Sequence, residues 1–548
     1  MRYPSFVVVP FVGSLITILA FPKSAEAAQY QVGPGKAFST LQEVAPKLAP
    51  GDVVEVDGGV TYPGDITFKK SGTAAAKITL VGKRDASGKR PVLTGGTNTV
   101  HFHADHYVME GFEITGGASR CVFHQGDDIT LQDSAIHDCP KHGLLGADDE
   151  SGSLTLEFVE VYACGSGDTR HPIYMATDEA THPGSVFRME HCYVHDGNGG
   201  NNVKSRAQRN EIRYNWVEGA LYHEIELIGP DSSNEGLFRE DSDVVGNVFR
   251  KTSKGYMARF GGDGTGQTNG RYRFVGNTVI LAPDSGAVFR LYDGIESVEM
   301  HDNVFYRAGG EGVQIVRESD ATWSIGHSVI AGSHNWVAEG STTVPASWTK
   351  TITGVDPGFI DAASRNFGLT AGSPLRGQGV VGPSGPPGFA FPSPLAAPQF
   401  QPPPHRIEAF GTASPRVATG AIDIGAFAYG ASPKPQAASS SVGDNGQSAS
   451  SSSSSGAGQS ASSSGGGSDD GQSASSSGDD DTAATGNGGS SASPAEDTSP
   501  SSSGGCSVGA ASSPLPLGAL AIGLAMGLVR WSRRRGIGRR SDLQRTAS

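Results

Sequence analysis

The residues best suited to chemistry are four side chains, Lys204, Arg206, Arg259 and His223. β-Elimination from a uronate needs a base for the proton α to the carboxylate, and cations for the enolate-like intermediate. Lys204 is the candidate base, and Arg206 or Arg259 can hold the carboxylate bidentately. His223 is an alternative proton carrier. The sequence predicts a catalytic group of these four residues.

A second set of charged residues is predicted to bind the substrate: Arg290, Arg317, Glu224 and Glu226. Two alternatives stay open. The cations can simply solubilise a sheet face or pair with the two glutamates. Paired carboxylates are also the requirement for glycoside hydrolysis, and the acids available for it are Glu224, Glu226, Asp168 and Asp178.

A metal is not required by any motif, because C-x-x-C and His/Cys ligand spacings are absent from the sequence. Calcium is one alternative for the acidic loop 231–243, through Asp231, Glu235, Glu240 or Asp243. An exposed acidic loop without an ion is the other.

The composition limits the partners. The chain has 548 residues, 77 of them Gly, and a formal net charge of −14. Nucleic acid is excluded as a partner because its recognition needs a basic footprint. The expected partners are an acidic polysaccharide or cell-surface glycan, and a membrane through the C-terminal tail. A monomer is expected.

A repeat runs through residues 107–339 and must position these side chains. Each repeat has a short alternating strand, a bend and another apolar residue, and one aligned column contains Phe112, Ser134, Val159, Cys192, Asn215, Asn247, Asn277, Asn303 and Ser328. Fixed periods of this length mean a solenoid, and strand-rich repeats favour a parallel β-helix. The expected fold class is all-β.

Stacked turns give this column a meaning. Asn215, Asn247, Asn277 and Asn303 are predicted to pass hydrogen bonds from turn to turn at one bend. Gly246 and Gly276 fit the same bend.

The stacking of turns also predicts which cysteines lie next to each other. Cys139 and Cys164 occupy equivalent positions on adjacent turns, so they are expected to stack as a disulfide or as buried thiols. Cys121 and Cys192 have no partner by register.

A second strand in each turn contains most of the candidate site. Lys204, Arg206, Arg259, Arg290 and Arg317 fall within about one residue of a single outward file. Glu224 and Glu226 interrupt this file. Arg209 and Arg213 lie nearby in sequence, in the basic segment 201–215.

The two ends of the solenoid have distinct signals. Residues 38–48 predict a short amphipathic capping helix that buries Leu41, Val44 and Leu48, with Ser39–Gln42 or Thr40–Glu43 as a capping box. Residues 356–429 are expected to form the closing end of the β-helix, followed by an irregular strand laid across it.

Targeting and spacer segments flank this region. Residues 1–27 read as a secretory signal cleaved after Ala27, and residues 431–505 as a disordered Ser/Gly/Asp spacer. Residues 506–548 contain Cys506, an apolar run that predicts a transmembrane helix, and an Arg cluster. The domains expected between them are a parallel β-helix at 28–345 and its C-terminal end at 346–430. An exported protein at the cell surface is expected.

Three segments resemble known families. The repeats resemble the right-handed parallel β-helix, or pectin-lyase-like, superfamily. The tail from Cys506 resembles the myxobacterial C-terminal sorting signal, which implies removal near the Cys and surface display. The segment KSRAQRNEIRYN resembles the KS-x-x-N-x-x-R-x-N turn of the alginate lyase and chondroitinase B family. There Lys204 matches the Lys that acts as base, and Ser205 the Ser. Asn210 and Arg213 follow two residues later than in the family pattern.

Overall fold

The computed structural model describes residues 27–147, 149–229, 241–262, 270–292, 294–318, 329–383, 385–386, 394–395, 397–416 and 421–430. Several predictions lie outside these residues: the signal segment, the spacer, the tail with Cys506, Ser328, and the acids Asp231, Glu235 and Glu240 of the acidic loop.

The described chain forms a right-handed parallel β-helix, which confirms the predicted fold. Each full turn contributes one strand to each of three parallel sheets. The sequence predicts two strands in each turn, but the structure has three. The third is the strand after the Asn bend, and these strands form a sheet of their own.

Sheet 1 has thirteen described strands. They are Gln29–Val32, Val53–Val56, Ile78–Gly82, Tyr107–Glu110, Ile129–Gln132, Leu154–Glu157, Val186–Glu190, Arg209–Arg213, Asp241–Val245, Gly270–Val275, Ile295–His301, Val329–Ser333 and Trp348–Thr349.

Sheet 2 has twelve described strands. They are Thr61–Pro63, Val92–Thr94, Glu113–Thr115, Ala135–His137, Glu160–Tyr162, Tyr193–His195, Trp216–Glu218, Val248–Lys251, Thr278–Leu281, Val304–Arg307, Trp336–Ala338 and Ile352–Gly354.

Sheet 3 has ten described strands. They are Ile66–Phe68, Asn98–Phe102, Arg120–His124, His142–Gly146, Ile173–Ala176, Val203–Arg206, Ile225–Ile228, Ala258–Gly261, Phe289–Leu291 and Val316–Glu318.

Alternation along each strand divides core from surface. In sheet 3, Val203 and Ser205 face the interior with no exposed area, and Lys204 between them faces outward. Ile225 and Leu227 repeat the pattern one turn later, on either side of Glu226. The period of two therefore decides which residues of sheet 3 can meet a ligand.

The predicted asparagine ladder is present between sheets 1 and 2. Asn215 donates its backbone N–H to Asn247 Oδ1 at 2.8 Å, and Asn247 does the same to Asn277 Oδ1 at 2.8 Å. The residue before each asparagine has a positive φ, 68° at Gly246 and 61° at Gly276. Asn303 continues the ladder to Asn335 at 3.0 Å. Asn335 was not part of the predicted column, and it extends the ladder by one turn beyond Asn303.

The cysteine pairing differs from the prediction. Cys121 forms a disulfide with Cys139, whose Cα atoms are 5.9 Å apart. Cys164 and Cys192 are buried thiols. The prediction of Cys139 with Cys164 is wrong because the short turn before His142 brings Cys139 beside Cys121, on the strand that pairs with His142–Gly146.

The N-terminal cap is a short α-helix, Leu41–Val44, which continues as the 3-10 helix Ala45–Lys47. Leu41, Val44 and Leu48 are buried, as predicted. Neither predicted capping box forms. Thr40 makes no side-chain cap, and Glu43 instead accepts the N–H of Ser39 at 3.0 Å.

The C-terminal segment lies across the outside of the solenoid. An antiparallel hairpin, Phe359–Asp361 with Asn366–Leu369, follows the last turn. Phe367 stacks on Trp216 of sheet 2 with ring centroids 5.5 Å apart. The hairpin therefore packs on a side face of the solenoid. Further along the chain, Phe400 packs on Tyr214, which follows the sheet 1 strand Arg209–Arg213. Among the described residues, no helix is long and apolar enough to cross a membrane.

Candidate functional site

The candidate site is one outward file on sheet 3. Register pairing aligns Tyr174, Lys204, Glu226, Arg259 and Arg290 on successive turns, and Arg317 follows. The four cations therefore share one register position, as predicted. Glu226 occupies the same position on the turn between Lys204 and Arg259. We call this set the cationic file.

Lys204 lies between an aromatic ring and a carboxylate. Its Nζ is 3.7 Å from Glu226 Oε2 and 5.1 Å from the ring centroid of Tyr174. The side chain is 16% exposed, so its amine can reach a ligand on the sheet surface. The contact with Glu226 holds the amine at this position of the file.

Glu226 is the buried anion of the file. It accepts Asn201 Nδ2 at 2.6 Å, and Arg259 Nη1 lies 3.2 Å from its other oxygen. Burial alone would raise the pKa of Glu226, but Lys204 and Arg259 outweigh it and lower the pKa to about 2. Glu226 is therefore ionised at neutral pH and fixes Lys204 and Arg259 in position.

Tyrosines separate the arginines further along the file. Arg259 lies over the Tyr292 ring at 4.1 Å, and Arg290 contacts the rings of both Tyr292 and Tyr256, at 4.8 and 5.3 Å. Arg317 stacks on Tyr256 at 5.5 Å and donates to its hydroxyl. Cation–π contacts of this kind hold the guanidinium groups in order on the surface.

His223 lies beside Glu226 and Arg259. Its Nδ1 is 3.1 Å from the carbonyl oxygen of Tyr256, so Nδ1 carries the proton and Nε2 has the lone pair. Burial, helped by nearby Arg259, lowers the pKa of His223 to about 3, against the effect of Glu226. His223 is therefore neutral at neutral pH, and its Nε2 makes no hydrogen bond to a described residue.

Two further histidines were not predicted. The N–H of His171 donates to His142 Nδ1 at 3.2 Å, and the N–H of Asn201 donates to His171 Nδ1 at 2.9 Å. Burial lowers the pKa of His142 to about 3 and that of His171 well below its usual value. The signal in the sequence was a shared register position, because His142 and His171 each stand two residues before the paired residues Leu144 and Ile173 of sheet 3.

Two predicted site residues, Arg206 and Glu224, are buried. Arg206 is 3% exposed and donates to the Tyr174 hydroxyl at 3.1 Å and to the Gly229 carbonyl at 2.6 Å. It therefore orients Tyr174, a member of the cationic file. Arg206 is two residues from Lys204, so the period of two puts both side chains on the same side of sheet 3.

Glu224 is fully buried, and the predicted substrate contact is wrong for it. It accepts Asn202 Nδ2 at 2.8 Å and lies 3.8 Å from Nζ of Lys251, which is itself buried. Burial raises the pKa of Glu224 to about 7, against the opposing effect of Lys251. The pair holds two turns together below the surface.

The acids needed for hydrolysis are not brought together. Asp178 accepts the N–H groups of Ala180 and Thr181, which caps its own loop. Asp168 is exposed and lies in a separate turn. The file thus contains one carboxylate, Glu226, among the residues proposed for a pair.

Of the four acids named for the acidic loop, the structure describes Asp243. Asp243 contacts Arg273 at 2.6 Å and Arg209 at 2.7 Å, so its oxygens serve arginines of sheet 1. No group of three or more His, Cys, Asp or Glu side chains able to hold a metal occurs in the described part of the chain.

The segment that resembles the lyase turn is split by the fold. Ser205 faces the interior and donates to Asn210 Oδ1 at 2.5 Å. Arg213 lies on sheet 1 and pairs with Glu190 at 3.4 Å. Of the residues that match the family pattern and are named above, Lys204 belongs to the cationic file.

Comparison with known proteins gives structural matches alone. No protein-family model matches the chain, and no curated protein matches it either. Among solved structures it is similar to pectate lyase Pel9A, with TM-score 0.34 and 14% identity over 74% of this chain and 97% of the other. An alginate lyase from Paenibacillus matches with TM-score 0.29 and 15% identity, over 60% of this chain and 99% of the other. A lacto-N-biosidase from Eubacterium ramulus matches with TM-score 0.33 and 14% identity, over 56% of this chain and 67% of the other. At these values the matches carry no argument about activity.

Proposed function

We propose that the protein acts on an acidic polysaccharide by β-elimination, at the cationic file of sheet 3. The observation that supports this most is the register itself. Lys204, Arg259, Arg290 and Arg317 project from one face, and consecutive strands lie roughly 4.8 Å apart. A linear polyanion along the solenoid axis can contact one cation after another.

In the proposed reaction, Lys204 in its neutral form removes the proton α to the uronate carboxylate. Arg259 and Arg290 neutralise the carboxylate and the enolate-like charge that develops on it. The electrons of the broken C–H bond form a carbon–carbon double bond, and the bond to the glycosidic oxygen breaks. That oxygen leaves as an alcohol after it takes a proton from the new Lys204 ammonium.

The second candidate is non-catalytic binding of an acidic glycan. The contact between Lys204 Nζ and Glu226 at 3.7 Å favours it, because this contact ties the proposed base to a carboxylate of the protein. Both functions use the same arginines. They differ in whether the bound chain is cut.

The full-length chain is to be incubated with a panel of polyuronates while the ultraviolet absorbance of the unsaturated uronate is followed. Elimination predicts a rising signal on at least one polymer, which Lys204→Ala abolishes. Lys47→Ala, an exposed lysine of the 3-10 helix, is the matched control and keeps the wild-type rate. Retention of a polyuronate without any rise in absorbance favours the binding function. An active Lys204→Ala variant removes Lys204 as the base.

We also propose that the protein is exported and displayed at the cell surface. The signal-like residues 1–27, the Ser/Gly spacer and the tail from Cys506 support this. Cell fractionation is the test. A full-length protein in the cytoplasm contradicts the proposal.

A further inference from the structure

A second concave surface lies on sheet 2, on a different sheet from the cationic file. It is a cleft of about 510 Å³ along the first turns of the solenoid. Its floor is one outward file of five consecutive strands: Thr61, Val92, Glu113, Ala135 and Glu160. Four steps between adjacent strands give it a length of roughly 19 Å, which suits an extended ligand.

The wall of this cleft is the loop 83–91, which its own hydrogen bonds hold in shape. Asp85 accepts the N–H groups of Ser87 and Lys89, at 2.8 and 2.9 Å. Arg84 and Arg90 both bind Asp133, at 3.0 and 2.6 Å. The wall is therefore preorganised, which lowers the conformational cost of binding.

Several polar atoms of the cleft can form more hydrogen bonds than they do within the described structure. Arg90 Nε is buried and has no hydrogen-bond partner in the described structure. Glu113 and Glu160 each use Oε1 to bind a histidine, His137 at 3.0 Å and His195 at 3.4 Å. Their Oε2 atoms, and the Tyr162 hydroxyl, make no hydrogen bond to described residues. Buried or half-buried polar groups usually find partners, so this grouping points to a ligand.

The charges and shape define the ligand's chemistry. The cations Arg84, Lys89 and Arg90 lie among the carboxylates of Asp85, Asp133, Glu113 and Glu160, so the cleft carries both signs of charge and neither an anion nor a cation finds a surface of the opposite sign alone. The cleft instead offers donors and acceptors together, which is the complement of hydroxyl groups. Val92 and Ala135 provide apolar floor between them, and Ala135 is the small residue that leaves room between the two glutamates.

We propose that this cleft binds a neutral oligosaccharide segment, aligned with the solenoid axis. The carboxylates accept hydrogen bonds from its hydroxyls, the arginines and Lys89 donate to them, and its C–H faces contact Val92 and Ala135. The cleft and the cationic file are independent sites, so either can exist without the other.

The test is binding of the full-length chain to an array of immobilised neutral and uronate-containing oligosaccharides. Wild type is expected to bind a neutral oligosaccharide, and Ala135→Trp, which fills the floor, to bind it at least about tenfold more weakly. Lys204→Ala is expected to keep this binding, because it alters sheet 3 only. Lys47→Ala serves as a surface control.

A thermal unfolding curve decides whether Ala135→Trp is folded. If it is not, Arg84→Glu is the variant to use, since the Arg84 side chain is 46% exposed and its loss leaves the core intact. The proposal is overturned if wild type binds no neutral oligosaccharide on the array. It is also overturned if the folded variant binds as wild type does, or if Lys204→Ala alone abolishes neutral binding.

Discussion

Replacement of Asn247 by Leu tests the ladder that sets the spacing of the turns. Asn247 Oδ1 accepts both the N–H and the side-chain amide of Asn215, at 2.8 and 3.0 Å. Its Nδ2 donates to the Ile212 carbonyl at 2.9 Å and to Asn277 Oδ1 at 3.0 Å. The leucine is nearly isosteric but makes none of these four bonds.

The magnitude follows from which partners are left without a bond. The side-chain amide of Asn215 keeps its bond to the Met189 carbonyl, and Asn277 Oδ1 keeps the N–H of residue 247. The backbone N–H of Asn215 and one bond to the Ile212 carbonyl are lost inside the core. An unpaired buried donor costs about 1–3 kcal/mol and a lost hydrogen bond about 1 kcal/mol, so the expected loss is about 2–4 kcal/mol.

Equilibrium unfolding in guanidinium chloride measures this loss, with the slope m compared between variants to check that the transition is unchanged. Asn198→Leu is the matched control, because Asn198 is exposed and outside the ladder; a change within about 0.5 kcal/mol is expected. If Asn247→Leu has the midpoint of wild type, the ladder does not stabilise the turns and the reasoning is refuted.

Two more predictions concern charged groups. Glu226→Gln lowers the free energy of unfolding at neutral pH by about 3 kcal/mol, because the pKa of Glu226 is held at about 2 instead of 4.5 and each pKa unit corresponds to about 1.4 kcal/mol. Its folded pKa is depressed, so this stabilisation is present above the unfolded pKa; equal denaturation midpoints at pH 7 contradict it. Burial lowers the pKa of His137, but Glu113 and Asp138 outweigh it and raise that pKa. The stability from protonated His137 is therefore present below pH about 6.5 and lost as pH rises through the folded pKa. His137→Gln should lower Tm at pH 5.5 more than at pH 9, and an equal effect at both contradicts this.

The fold was predictable because its signal is repeated. Asn215, Asn247, Asn277 and Asn303 recur at the same point of each turn, and an inward-facing residue alternates with an outward one in every strand. Each turn confirms the register of the next, and Asn335, which the alignment did not include, continues the same ladder. The pairing of the cysteines has no repeated signal of this kind. Cys121 meets Cys139 through the geometry of one turn, which the period of the repeat does not contain.

The candidate site was predictable only in part, for a physical reason. Register alone placed Lys204, Arg259 and Arg290 together, because parallel strands stack equivalent residues. Burial decided the roles of Arg206 and Glu224, and burial depends on how the turns between strands fold. The tyrosines that separate the arginines are the clearest omission, since Tyr256 precedes its strand and was not aligned with the file.

The mass of the products tests the central claim most directly. Wild-type protein is incubated with the polyuronate that it binds best, and the released oligosaccharides are analysed by mass spectrometry. Elimination adds no water across the broken bond, so the account predicts a fragment with a terminal unsaturated uronate, lighter by one water than the corresponding hydrolysis product. Fragments with the mass of hydrolysis products, or an uncut polymer that stays bound, contradict it.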